Sequence, residues 1–334
     1  MTMQRAEASR LANPTRVNWP GGKRRLTTCG RVVGMAVILL VIAAASASPC
    51  RGQDLEPRAY AASPEGAFFV VVGLGRSTGS VVTDPTLPVQ NVEAAIYAVP
   101  LGVGYTFNLL GKLALVTAAV PVSRGDVSGE VGEETRSVSR SGLVDMRAKF
   151  SLNLRGNPPM PARAFAVSPR KVIVGTSLTM VAPTGQYKGT QLINLGNHRW
   201  AFKPELGVSV PKGRWDFDAY AGVWLFTDND DFYPGGRERT QEAVVALQAH
   251  TSYTVRPRLW LAFDATWYQG GAAEVVGAAP TGGMNNTRMG ATLSLPLARS
   301  QSIKVAYSSG VAVRTGTNFR TLSVGWQWLR LTKF

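Results

Sequence analysis

From Gly142 to Arg155 the chain alternates in character for more than a dozen residues. Its even positions are Val144, Met146, Ala148, Phe150, Leu152 and Leu154, and its odd positions include Asp145, Arg147, Lys149, Ser151, Asn153 and Arg155. Side chains of a strand point to opposite faces in turn, so this stretch has one apolar face and one charged face. Strands of soluble sandwiches run to about five or six residues. This one is roughly twice as long and matches the roughly 9 to 11 residues that a tilted strand needs to cross a bilayer.

The same element recurs along the chain. Strands are expected at 67–77, 93–107, 113–122, 142–155, 171–182, 199–210, 214–226, 241–255, 259–268, 286–297, 302–314 and from Thr321 onward. An even count of twelve returns the chain to its starting side, as bacterial outer-membrane barrels require. The connections alternate too: 108–112, 211–213, 256–258 and 299–301 are tight, whereas 78–92, 123–141, 183–198, 227–240 and 269–285 are long. Two connections break the rule, the long 156–170 and the short 315–320. The expected fold is therefore all-β, a transmembrane antiparallel up-and-down β-barrel of 12 strands at 67–334, with short turns facing the periplasm and long loops outside. Aromatic residues gather near strand ends, Tyr105, Phe107, Trp215, Phe217, Tyr253, Trp326 and Trp328 on one rim and Tyr97, Trp200, Phe202 and Trp267 on the other. The chain ends in Phe334. Pro100 and Pro204 fall inside strands, where the missing N–H predicts bulges.

Residues 1–53 read as a leader. A basic cluster (Lys23, Arg24, Arg25, Arg31) precedes an apolar run from Val32 to Ala45, which is too short to span a membrane, and small residues follow. Cleavage is expected after Ala47 or Gly52. The net charge is +15, but eight of the 36 basic residues and one of the 21 acidic residues lie in this leader, so a nucleic-acid partner is not expected. Both cysteines, Cys29 and Cys50, also lie there, which removes disulfide and thiolate-metal chemistry from the mature chain. Residues 54–66 are expected to be a short periplasmic lead-in.

The inward faces of the strands carry the candidate channel lining: Asp145, Arg147, Lys149, Arg199, Lys203, Glu205, Asp216, Asp218, Glu242, His250, Asp264, Arg288, Lys304 and Arg314. Mixed signs predict cross-strand pairing and weak ion selectivity, slightly toward anions. The first three strands offer no inward charge, and Ala94, Ala98, Gly102 and Gly104 are expected to form an apolar, small-residue wall along which a partly apolar solute slides. His250 and Ser252 are two residues apart on one face, which alone does not make a catalytic triad. His198 belongs to a loop. Asp228-Asn229-Asp230-Asp231 lacks the glycine and distal glutamate of a calcium loop. No cofactor and no metal is expected.

The segment Leu192-Ile193-Asn194-Leu195-Gly196-Asn197-His198-Arg199-Trp200-Ala201-Phe202-Lys203-Pro204-Glu205, with Ala182-Pro183-Thr184-Gly185-Gln186-Tyr187 and Tyr220-Ala221-Gly222-Val223-Trp224-Leu225-Phe226-Thr227, resembles the outer-membrane β-barrel family named for the meta pathway of phenol degradation. The likeness runs over about 54–328. It implies a barrel and transport, with no catalytic residues to carry over; the functional-amyloid secretion channel is similar to that family. The expected function is passive passage of small solutes, with outer-membrane lipid, the solute and the barrel-assembly machinery as partners. The alternatives are a polypeptide secretion barrel and a barrel enzyme such as a phospholipase.

Overall fold

The structure is a computed structural model that describes residues 55–82, 90–131, 134–233, 236–278 and 280–332. The leader, its cleavage sites, Cys29, Cys50 and Phe334 lie outside the described residues. In chain order the strands are β1 (Ala67–Val82), β2 (Gln90–Leu109), β3 (Lys112–Val131), β4 (Glu134–Leu143), β5 (Met146–Arg155), β6 (Ile173–Ala182), β7 (Ala201–Lys212), β8 (Trp215–Phe226), β9 (Asn229–Phe232), β10 (Arg237–Gln241), β11 (Val244–Arg256), β12 (Leu259–Gly270), β13 (Ala273–Val275), β14 (Met284–Ala298), β15 (Gln301–Ala312) and β16 (Gly316–Leu331). A six-residue helix, α1 (Ala162–Val167), stands between β5 and β6.

Neighbouring strands pair antiparallel from β1 round to β16, and β16 pairs back onto β1 from Ala67↔Leu331 to Val82↔Gly316. The ring has twelve positions because β4 and β5 share one. β5 pairs the lower part of β3 (Ala114↔Leu152 to Ala119↔Arg147), and β4 pairs the upper part (Val122↔Leu143 to Val131↔Glu134). Closure leaves the twelve-position wall without the free edge that an open sheet would present.

Burial runs opposite to that of a soluble protein. Glu205 is 3% exposed and its neighbour Leu206 59% exposed. Lys203, Asp218, His250, Asp264 and Arg288 are buried, while Val103, Phe217, Leu247, Phe263, Met289 and Val311 lie on the outer surface. An apolar outside and a polar inside is the arrangement a lipid-embedded barrel requires. Near the lower rim Tyr105 stacks on Phe107 and Trp215 on Phe217; Trp200 stacks on Phe202 at the other rim.

Several expectations are corrected. The stretches 78–92 and 123–141 are not simply loops: β1 continues to Val82, β2 starts at Gln90, and β3 and β4 form a tall hairpin. Runs such as Arg136-Ser137-Val138-Ser139 lack an apolar outer face because they stand beyond the lipid-facing belt, so the period that marks the other strands fades there. The expected strand 142–155 is interrupted at Val144 and Asp145, which shifts parity by one between β4 and β5. The loops 227–240 and 269–285 carry β9, β10 and β13, which form a separate three-stranded sheet. Pro100 and Pro204 cause no register shift. The β1–β2 ladder instead skips the positions opposite Val99 and Pro100, and the β7–β8 ladder skips Lys203 and Pro204. Gly73 makes this possible at Pro100, since a Cβ there would sit 2.8 Å from the proline ring.

The lead-in does not stay in the periplasm. Glu65 and Gly66 are tied to the lower rim by N–H donation to the carbonyls of Met160 and Thr106, both at 2.9 Å, and residues 56–60 lie inside the ring, against Lys149, Asp218 and Ser177. Leu55 lies against Gly290 on β14.

Candidate functional site

The lower lumen is filled by this internal strap and by the side chains that grip it. Tyr60 enters a slot between β6 and β7 in which Gly175 and Gly207 leave room for its ring; a Cβ on either would collide with it. Its hydroxyl lies 2.9 Å from Ser177 Oγ and 3.2 Å from Glu205 Oε1, and its ring packs edge-on against Tyr220 at 5.1 Å. Arg58 donates to Asp216 Oδ2 (2.7 Å), Thr254 Oγ1 (2.7 Å) and Ser252 Oγ (2.8 Å) and covers Trp260 at 4.7 Å. Its backbone N–H donates to Asp218 Oδ2 at 3.2 Å. Glu56 accepts from Lys149 Nζ at 2.6 Å, and the Lys149 charge holds the Glu56 carboxyl down at about 2.

The remaining inward charges mostly satisfy one another. Lys203 pairs with Glu205 at 2.9 Å, and Gln248 donates to the same carboxylate at 3.3 Å. His250 Nδ1 lies 2.7 Å from Asp264, whose other oxygen accepts from Thr292 at 3.0 Å. Arg288 donates to Ser308 and Thr321. Arg170, from the connection after α1, joins Arg58 on Asp216. Lys304 points over Trp260 at 5.7 Å, and Arg199 donates to Gln241 while covering Phe226 at 4.4 Å. Removing one partner of a buried pair costs on the order of 3 to 5 kcal/mol, because the other is left charged in a dry place. The network therefore fixes the bore. Ser252 accepts from Arg58 while His250 faces Asp264, so this serine and histidine are engaged with different partners.

Above the strap, between the tall β1–β4 sheet and the connection 183–200, is a cavity of about 920 Å³. Its wall on β2 and β3 is apolar or small (Ala94, Ile96, Ala98, Pro100, Ala119, Pro121), and Leu192, Ile193 and Leu195 close it from the opposite side. That connection has no regular structure and is pinned by Asp145, at the break between β4 and β5. One carboxylate oxygen accepts from Gly185 N at 2.9 Å, the other from Asn197 N at 2.9 Å and from Asn197 Nδ2 at 2.8 Å. Farther out, His198 stacks on Tyr187 at 4.8 Å and meets Asp230 at 3.3 Å, a packing arrangement within the loops.

Not every expected lining residue reaches the interior. Glu242 and Arg314 are exposed and lie beyond strand ends, at the upper rim. Asp145 touches the cavity, but both its oxygens are engaged by the loop. Of the expected small-residue wall, Ala94 and Ala98 line the cavity; Gly104 lies beneath the Phe69 ring, and Gly102 faces Val71 and Ala119. Glu56, Arg58, Tyr60, Arg136, Arg140 and the 192–195 cluster were not anticipated. The one available signal was three large apolar residues within four positions of a loop expected to be hydrated.

A family model described as "Putative MetA-pathway of phenol degradation" matches residues 78–328. Among solved structures, the COG4313 outer membrane channel from Pseudomonas putida F1 superposes with a TM-score of 0.71 at 21% identity, covering 83% of this chain and 100% of that one. The beta domain of the Bordetella autotransporter BrkA superposes with a TM-score of 0.48 at 10% identity, over 79% of this chain and 99% of that one. A TodX monoaromatic hydrocarbon channel mutant gives 0.45 at 9% identity, over 81% and 91%. The first of these shares the fold. No curated protein matches the sequence.

Proposed function

This chain belongs to the family described by the MetA pathway of phenol degradation, and from that premise we propose that it is an outer-membrane channel for passive transport of small solutes, aromatic or partly apolar compounds among them. The observation that carries this reading is the largely apolar cavity of about 920 Å³ above a lower lumen rich in buried charged and polar side chains. Small-molecule sites are typically concave, mostly apolar and about 300 to 1,000 Å³ in volume. A solute with an apolar body gains by leaving water there, at roughly 25 cal/mol per Å² buried, whereas a sugar gains little. Onward passage requires the strap to leave the lower lumen. The strap is also what a polypeptide secretion barrel would need to stay closed at rest, but that reading gives no role to the apolar cavity.

The test is uptake by cells that carry the protein in their outer membrane. Ala98→Asp places a carboxylate in the apolar wall of the cavity, which is costly for an apolar guest. Uptake of 2-phenylethanol should fall about tenfold, the equivalent of about 1.4 kcal/mol, with little change for a disaccharide. An equal fall for both would contradict the reading.

A further inference from the structure

The cavity wall is not uniformly apolar. Its charged lining consists of Arg136 and Arg140 on β4, Arg147 on β5, and Asp145. Asp145 keeps its charge while N–H groups of Gly185 and Asn197 engage both its oxygens, so one acid stands against three arginines in the lining. The register spaces the arginines along β3. Arg147 stands opposite Ala119, Arg140 opposite Gly125 and Arg136 opposite Gly129. At about 3.3 Å per residue, Arg140 is roughly 20 Å above Arg147, and Arg136 about 13 Å higher again.

These arginines differ in how much of their capacity is used. Arg136 pairs with Glu134 at 2.9 Å on the exposed rim. Arg147 covers Trp224 at 5.8 Å. Arg140 is half-buried, and its one hydrogen bond among the described residues runs from Nη1 to the Ser139 carbonyl at 3.1 Å. A planar guanidinium with unused donors above an apolar wall is built to take a carboxylate. Below it the wall is formed by Ala98, Pro100, Pro121 and Leu195.

Resting on the reading of the cavity as a solute site, we propose that its preferred guest is an amphipathic organic anion, a carboxylate on an aromatic or aliphatic body. Arg140 is the specificity residue that holds the carboxylate, and the apolar body lies downward toward Arg147.

The experiment is calorimetric titration of the refolded barrel in lipid nanodiscs with 4-phenylbutyrate and with its neutral counterpart, 4-phenyl-1-butanol. The native protein should bind the carboxylate about tenfold more tightly than the alcohol, as a charge-assisted hydrogen bond supplies. Arg140→Gln should abolish that preference, bringing the carboxylate's affinity down to that of the alcohol, and Arg140→Lys should restore part of it. Equal binding of both ligands by the native protein, or a preference that survives Arg140→Gln, would overturn the role of Arg140 while the cavity remains a solute site. Binding of neither ligand would overturn both.

Discussion

At the scale of single residues a few close approaches hold the strap and the upper loop in place. Tyr60 fits between β6 and β7 only because positions 175 and 207 lack a Cβ. Gly207→Ala intrudes on the ring and should weaken the strap's hold by about 1 to 3 kcal/mol, the usual cost of overpacking. The barrel itself should still assemble, because the intrusion points inward, so bilayer recordings of Gly207→Ala should show a larger open fraction than the native protein. Asp145 is a second such point. Asp145→Ala leaves the N–H groups of Gly185 and Asn197 without their acceptor, at about 1 to 3 kcal/mol. Limited proteolysis should then cut within 183–200 at a markedly higher rate, with the heat-resistant barrel intact. Unchanged proteolysis would mean that the loop is held by Tyr187, Asn194 and Asn229 alone.

At the scale of elements, the proposed function makes the strap the part that must leave for the lumen to open. Glu56 ordinarily titrates at 4.5, and Lys149 lowers it to about 2. A carboxylate depressed on folding contributes its stabilisation above its unfolded value and loses it as pH falls through the folded value. The stabilisation from the Glu56–Lys149 contact is therefore fully present at pH 7 and 5 and is lost progressively as pH falls from about 4.5 to about 2. Channel opening should not change between pH 7 and 5 through this contact; Glu56→Gln, which removes the charge, should raise the open fraction at both values. A wild-type opening transition between pH 7 and 5 that Glu56→Gln abolishes would contradict this assignment.

The elements also show what could be read from sequence. Each lipid-crossing strand has one face in hydrocarbon, so Phe217, Val245 or Leu293 recurs against Asp218, Ala246 or Thr292 and the period of two is visible. Beyond the lipid both faces meet water or a small-residue interior, and the upper halves of β3 and β4, with Ser123, Gly125, Ser137 and Ser139, carry no such period. The strap was illegible for another reason. Its partners are far away in sequence, Arg58 meeting Asp216 and Tyr60 meeting Glu205, and a short segment with no periodicity does not announce where it docks. The candidate site was half legible for the same reason: Ala94 and Ala98 follow from strand parity, while Leu192, Ile193 and Arg140 reach the cavity through loop packing and an unexpected hairpin.

At the scale of the whole molecule, two layers lie along one bore: a polar lower lumen closed by the strap, and an apolar cavity above it. The most direct test of this arrangement is single-channel recording of refolded residues 53–334 beside the same protein lacking 53–62, with 2-phenylethanol added to the outer side. The account predicts small, intermittent currents with the strap present and large, steady ones without it. It also predicts concentration-dependent block by the aromatic alcohol that Ala98→Asp removes. Equal currents with and without the strap, or block that Ala98→Asp leaves unchanged, would contradict it.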